Sequence, residues 1–167
     1  PFTQKAMIEQ FAVTKIGDNV FQGYIDFVFQ DEDGTVTILD WKSSTIYTGS
    51  KVLKEGKQLL IYAQSLIQHG MPIDKIKICW DFLKYVNVSF VQQNGKPKTR
   101  QIERNAIGTS LSNTIKTKMK AAKKYTEEEI NSALEFVITT NNLDTLPKEI
   151  AEQFTVEDCL VYIPLTE

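Results

Sequence analysis

The sequence is poor in the residues that build several kinds of site. It has one histidine and two cysteines in 167 residues. Cys79 and Cys159 stand far apart, with no CxxC spacing and no histidine beside them, which excludes a zinc centre of repeated Cys and His ligands. Each cysteine lies in an apolar segment (IKICWDF and EDCLVYI) and is expected to be a small core residue in a reducing, cytoplasmic setting. His69 falls at the end of a helical pattern and reads as a helix-terminal residue, not a ligand. No stretch approaches the ~18–20 consecutive apolar residues of a membrane span. The first residues lack a basic start followed by an apolar run, so no secretory leader is expected. The chain opens at Pro1-Phe2 without Met, as expected of a piece of a longer protein or a processed product.

What is present has the composition of one soluble domain, 42% apolar and 24% charged. A single domain over residues 1–167 is expected, large enough to bury a core without disulfides. The formal net charge of −2 hides an uneven distribution: residues 96–124 hold nine Lys or Arg against Glu103 alone, a local +8 that leaves −10 for the remainder. A chain divided in this way can hold cations at one place and phosphates at another.

Residues 5–16 read as a strand or the end of a helix. Residues 20–29 (VFQGYIDFVF) are rich in aromatic and β-branched types and predict a strand. Alternation puts Phe21, Gly23, Ile25, Phe27 and Phe29 on one face and Gln22, Tyr24, Asp26 and Val28 on the other. A turn at 31–34 leads to a second strand at 35–42, and a polar loop over 43–52 follows. A helix is predicted over 53–69, stopped by Gly70 and Pro72. Strands are predicted at 75–85, continuing or restarting over 86–91, and at 98–104 after an Asn94-Gly95 turn. Ile107, Leu111, Ile115, Met119 and Ala122 then mark one face of a helix. A second helix over 127–140 opens on a capping box, Thr126 with Glu129. Residues 141–150 read as a connection and 160–163 as an edge strand. The order of elements predicts an α/β or α+β domain with a mixed sheet.

Asp40 and Lys42 are two apart on a predicted strand and so share a face. Pairing Asp31 with Thr35 across the turn sets Asp26 directly opposite Asp40, with Cβ atoms ~5 Å apart. Two adjacent carboxylates repel, and one would stay protonated unless a cation joins them. Mg²⁺ takes one or two carboxylates together with water and phosphate oxygens. Gln58 and Tyr62, at i,i+4, share one helix face.

Taken in order, GYID at 23–26, ILDWKSS at 38–44 and QLLIYA at 58–63 resemble the RecB-like branch of the PD-(D/E)XK nuclease superfamily. Its pattern is G-x-apolar-D, an apolar run into D-aromatic-K-[ST], then Q-L-x-x-Y on the next helix. The resemblance covers about residues 9–63. It implies a restriction-endonuclease-like core, a central mixed β-sheet flanked by helices. It implies Asp26 and Asp40 as metal-binding acids, the Trp41 carbonyl as a further ligand, Lys42 as the catalytic lysine, and Mg²⁺ or Mn²⁺ as cofactor. Gln58 and Tyr62 match the helix motif that holds the active site and contacts DNA, and Glu9 answers to an acid found upstream in several branches. The implied activity is DNA cleavage that leaves a 5′-phosphate, as an exonuclease in recombination, repair or phage replication, beside a helicase or similar partner.

For DNA contact the candidates are Ser43 and Ser44 after the catalytic strand, with Tyr47 near them, and Lys96, Lys98, Arg100 and Arg104 around a hairpin. Lys116, Lys120, Lys123 and Lys124 on the following helix join them. The sequence departs from the pattern in lacking a histidine on an upstream helix. Either that helix lies in a part not included or this branch dispenses with it. The departure motivates an alternative, a non-catalytic DNA-binding module that retains the nuclease fold. The cysteines of the iron–sulfur variants are missing too, so no cluster is expected.

Overall fold

The computed structural model describes residues 5–165. Six strands form one mixed sheet flanked by five helices among the described residues, the α/β architecture expected from the order of elements. The chain divides into two compact units, residues 1–82 with 160–167, and residues 83–159.

In the first unit, β1 (Lys5–Ile16) and β2 (Asn19–Gln30) make a long antiparallel hairpin. The next turn is tight: the Asp31 amide donates to the Thr35 carbonyl at 2.9 Å, and Gly34 takes a positive φ of 84° that suits a residue without Cβ. Asp33 locks it, accepting the Thr35 amide at 2.9 Å and the Thr35 hydroxyl at 3.0 Å. Those bonds, aided by Lys75, hold the Asp33 carboxyl down at about 2. The turn sets the register of β3 (Val36–Lys42) on β2, with Gln30 opposite Val36 and Phe27 opposite Leu39.

β3 then pairs in parallel with β4 (Ile76–Val91), Val36 opposite Ile76 and Lys42 opposite Phe82. A parallel pair requires a crossover. Here it consists of α1 (Ser50–Glu55) and α2 (Lys57–Gln68). The single helix expected over 53–69 is therefore two, and the expected loop ends earlier, at Ser50. The break lies at buried Gly56, where an added Cβ would meet the Val52 carbonyl at 2.9 Å and Ile163 at 3.0 Å. Val36, Thr37, Ile38 and Leu39 are all buried, because both faces of β3 are covered. Trp80, Phe82, Ile38 and Ile78 are the large side chains of this core, each no more than 1% exposed.

In the second unit the remainder of β4 pairs antiparallel with β5 (Pro97–Glu103), from Tyr85 opposite Glu103 to Val91 opposite Pro97. The hairpin between them turns at Asn94-Gly95, as expected. α3 (Ile107–Ala121) and α4 (Glu127–Thr140) follow, with a short α5 (Lys148–Ala151). The apolar face of α3 places Ile107, Leu111, Ile115 and Met119 in a core with Val86, Val88, Ile130 and Val137. Gly108 permits close helix contact, since a Cβ there would strike the backbone of Val137 and Ile138. The capping box at Thr126 forms as read: Thr126 N–H donates to Glu129 at 2.7 Å and Glu129 N–H donates to the Thr126 hydroxyl at 3.2 Å. The last strand, β6 (Phe154–Tyr162), is longer than the expected 160–163. Its first half alternates too little in hydrophobicity to be read from sequence: Thr155, Val156, Glu157 and Asp158 are all exposed. Cys79 and Cys159 are both buried, as expected, and burial pushes the Cys79 thiol up to about 12, with Asp81 adding to the shift.

Candidate active site

Asp26 and Asp40 lie one register step beyond Phe27 and Leu39, the last regular pair between β2 and β3. At that step the Asp26 side chain takes over from the main-chain ladder. Its Oδ2 accepts the Trp41 amide at 3.0 Å, which fixes the carboxylate beside the backbone between Asp40 and Lys42. Lys42 follows Asp40 on the same side of β3, with Nζ 2.6 Å from Asp40 Oδ2. That oxygen is buried and has no hydrogen bond of regular geometry, so the ammonium meets it as an ion pair.

The electrostatics of this trio are strained. Burial pushes the Asp40 carboxyl above its ordinary range, against the pull of Lys42, and the adjacent Asp26 pushes it further. Burial works to lower Lys42, but the close ion pair with Asp40, with Tyr47 and Asp26, outweighs it and leaves the ammonium raised. A buried carboxylate oxygen beside a second carboxylate is a donor set short of positive charge. The oxygens of Asp26, Asp40 and the Trp41 carbonyl are hard donors of the type Mg²⁺ and Mn²⁺ take. The residues present fit a divalent cation that keeps water and phosphate as its other ligands.

Glu9 does not complete this set. Its neighbours pair regularly, Ile8 with Phe27 and Gln10 with Ile25, which puts Glu9 across from Asp26. It is exposed and sits at φ 52°, a left-handed conformation that strains a residue with a Cβ. Among the described residues no group of three or more His, Cys, Asp or Glu gathers to hold an ion. His69 is the C-cap residue of α2, its Nδ1 2.7 Å from the Ser65 carbonyl, where the sequence reading placed it.

Gln58 and Tyr62 act together, as their spacing implied. Gln58 Nε2 donates to the Tyr62 hydroxyl at 2.9 Å, and that hydroxyl donates to the Tyr24 carbonyl at 3.0 Å. The relay anchors α2 to β2 two residues before Asp26. It explains Gly23, where a Cβ would run into the Tyr62 hydroxyl. It also corrects one expectation. Tyr62 is only 5% exposed and its hydroxyl is engaged within the protein, so it is a buried anchor and not a DNA contact. Its burial follows from the helix face it shares with Leu59 and Ala63, which seats α2 on the core.

Ser43 and Ser44 are exposed after β3. The role of Tyr47 is one the sequence did not reveal. Its ring stands edge-on to Trp80 and Phe82, at 5.0 and 5.2 Å between centroids, with Lys51 Nζ 4.7 Å from the ring centre. It forms part of the wall beside Lys42, and only the parallel register of β3 and β4 brings those partners together.

The basic residues belong to the second unit and are not equally free. Arg104 donates to the Leu83 carbonyl and pairs with Asp158 at 3.0 Å. Lys120 pairs with Glu127 at 2.8 Å, and Lys124 pairs with Glu149. Arg100 donates to the Ser110 carbonyl at 2.6 Å. Lys96, Lys98, Lys116 and Lys123 make no ion pair among the described residues. A cleft of about 720 Å³ opens between the β4–β5 hairpin and α3, with Lys98, Arg100, Lys118, Asn94, Asn113 and Thr117 in its lining.

No helix among the described residues is long and apolar enough to cross a membrane. Comparison with curated proteins returns no match, and comparison with solved structures returns none. The family model of the PD-(D/E)XK nuclease superfamily matches residues 3–157, well beyond the stretch that carries the sequence motifs and into both units. The paired carboxylates with their lysine thus sit in a chain that belongs, over nearly its whole length, to the PD-(D/E)XK nuclease superfamily.

Proposed function

We propose that this chain is a divalent-metal-dependent deoxyribonuclease of the RecB-like branch, hydrolysing phosphodiester bonds at Asp26, Asp40 and Lys42. The observation that carries the reading is the convergence of these three side chains: Asp26 held by the Trp41 amide, Lys42 against Asp40, and burial with the adjacent Asp26 raising the cost of ionising Asp40. Asp26, Asp40 and the Trp41 carbonyl would hold Mg²⁺ or Mn²⁺. When bound, such a cation polarises a phosphate and lowers the pKa of a coordinated water.

The protein's own groups do the rest. The carboxylates bring negative charge to the place where a cation and a phosphate must meet. Lys42, its ammonium favoured by Asp40, donates hydrogen bonds to the attacking water or to charge that develops on the phosphate. The Gln58–Tyr62–Tyr24 relay keeps β2, and with it Asp26, at a fixed distance from α2. Ser43 and Ser44 offer hydroxyls to the phosphate backbone. The unpaired Lys96, Lys98, Lys116 and Lys123 supply salt-sensitive, sequence-independent attraction, with Arg100, Arg104, Lys120 and Lys124 contributing less because they are already engaged. Exonuclease work in recombination, repair or phage replication, inside a longer protein or beside a helicase, is the setting the branch resemblance supports.

The test is substitution. Asp40→Ala or Lys42→Ala abolishes metal-dependent cleavage of DNA while the melting transition stays cooperative. Undiminished cleavage by either variant removes the assignment.

A further inference from the structure

Tyr24 and Phe11 stand beside the catalytic carboxylates with most of their ring surface in water. They are cross-strand partners in the β1–β2 hairpin, with ring centroids 5.2 Å apart at a tilt of 53°. Cross-strand pairing accounts for their contact. The same face exposes Val13 at 45% and Val20 at 63% farther along the hairpin, but Tyr24 at 66% and Phe11 at 54% are its exposed aromatic rings, and they are the ones nearest Asp26. Gly23 and Ile25 turn inward, Gly23 against Tyr62, so Tyr24 and Asp26 turn outward together. Two residues of strand separate their Cα atoms by about 7 Å, roughly twice the rise per nucleotide in a stacked strand. The platform is also rigid, because the Tyr24 carbonyl receives the Tyr62 hydroxyl.

We infer that the Phe11–Tyr24 pair is a stacking subsite for an unpaired nucleotide adjoining the bond to be cleaved, and that the substrate class is single-stranded nucleic acid. This rests on the nuclease reading of Asp26 and Asp40 for the position of the strand, but its evidence is separate. A ring takes up a base only through that base's π-face, and in a duplex those faces are hidden within the stack. An exposed aromatic pair two strand residues from the carboxylates therefore selects a strand whose bases are free. No base edge is read, so the preference is for strandedness and not for sequence.

The experiment uses the full chain in EDTA, so that no cleavage intervenes. Binding of one short fluorescent oligonucleotide, single-stranded or as a blunt duplex, is followed by anisotropy. A 2-aminopurine base in the single strand reports stacking by its quenching. Tyr24→Ala weakens single-strand binding on the order of tenfold and relieves the quenching, leaving duplex binding unchanged. Phe11→Ala does the same to a smaller extent. Tyr24→Phe behaves as the wild type. Neither ring is buried and the Tyr62 anchor uses only the backbone of residue 24, so the fold survives, which melting curves verify. Equal loss on both substrates, or no loss on either, overturns the inference. Metal-dependent cleavage with Tyr24→Ala binding unchanged overturns the subsite alone. Stacking-dependent binding with no cleavage in Mg²⁺ or Mn²⁺ supports the subsite and overturns the nuclease reading instead.

Discussion

Asp40 is in conflict with its surroundings, and the conflict makes it useful. A carboxyl whose folded value lies above its unfolded value, about 3.9, adds stability below that value and loses it as pH rises through the folded value. The raised Asp40 therefore costs the metal-free protein stability at neutral pH. Asp40→Asn is expected to melt higher than the wild type in EDTA at neutral pH, with the difference closing as pH falls below the ordinary carboxylate range. Mg²⁺ should raise the wild-type melting temperature by mass action and leave the variant unmoved. A variant that melts lower in EDTA at neutral pH would mean that the Lys42 ion pair outweighs burial and Asp26. The roles of Asp26, Asp40 and Lys42 as neighbours were legible in the sequence because strand alternation and one turn fix them. The engagement of Tyr62 was not, because a helix face shows which residues lie together but not which of them the core covers.

The decisive elements are the β2–β3 turn, the α2 anchor and the capped α4. The turn was readable from Asp31-Glu32-Asp33-Gly34, and the register it imposes is the one that sets Asp26 across from Asp40. The requirement for a residue without Cβ at Gly56 was not readable, since one of the groups an added Cβ would meet there is Ile163, more than a hundred positions away. Nor could a count of lysines foresee that Lys120, Lys124 and Arg104 are partly neutralised by Glu127, Glu149 and Asp158. Two predictions belong at this scale. Gly23→Ala places a methyl group against the Tyr62 hydroxyl, so the relay to Tyr24 breaks. Overpacking of this kind costs about 1–3 kcal/mol, and denaturant melts should show it together with a fall in cleavage rate per folded molecule. Thr126→Ala removes the capping box of α4 and should cost about 1 kcal/mol with cleavage per folded molecule unchanged, because α4 belongs to the second unit and Asp26, Asp40 and Lys42 belong to the first. Loss of activity in step with the loss of a cap would contradict that separation.

At the scale of the molecule, the family model spans residues contributed by both units, while the sequence motifs were confined to the first. In the proposed function, the −10 charge outside residues 96–124 serves a cation site and the +8 within them serves phosphate binding. Affinity for nucleic acid should accordingly fall with rising salt, and Lys96→Ala with Lys98→Ala should reduce the slope. The central claim is that two carboxylates and a lysine form a working hydrolytic site, and the most direct measurement is cleavage of end-labelled DNA by the purified chain, with Mg²⁺ or Mn²⁺ and with EDTA. The account predicts shorter products carrying 5′-phosphates in the presence of either cation and none in EDTA. DNA bound but left intact with both cations would contradict it and would make the chain a binding module on a nuclease fold.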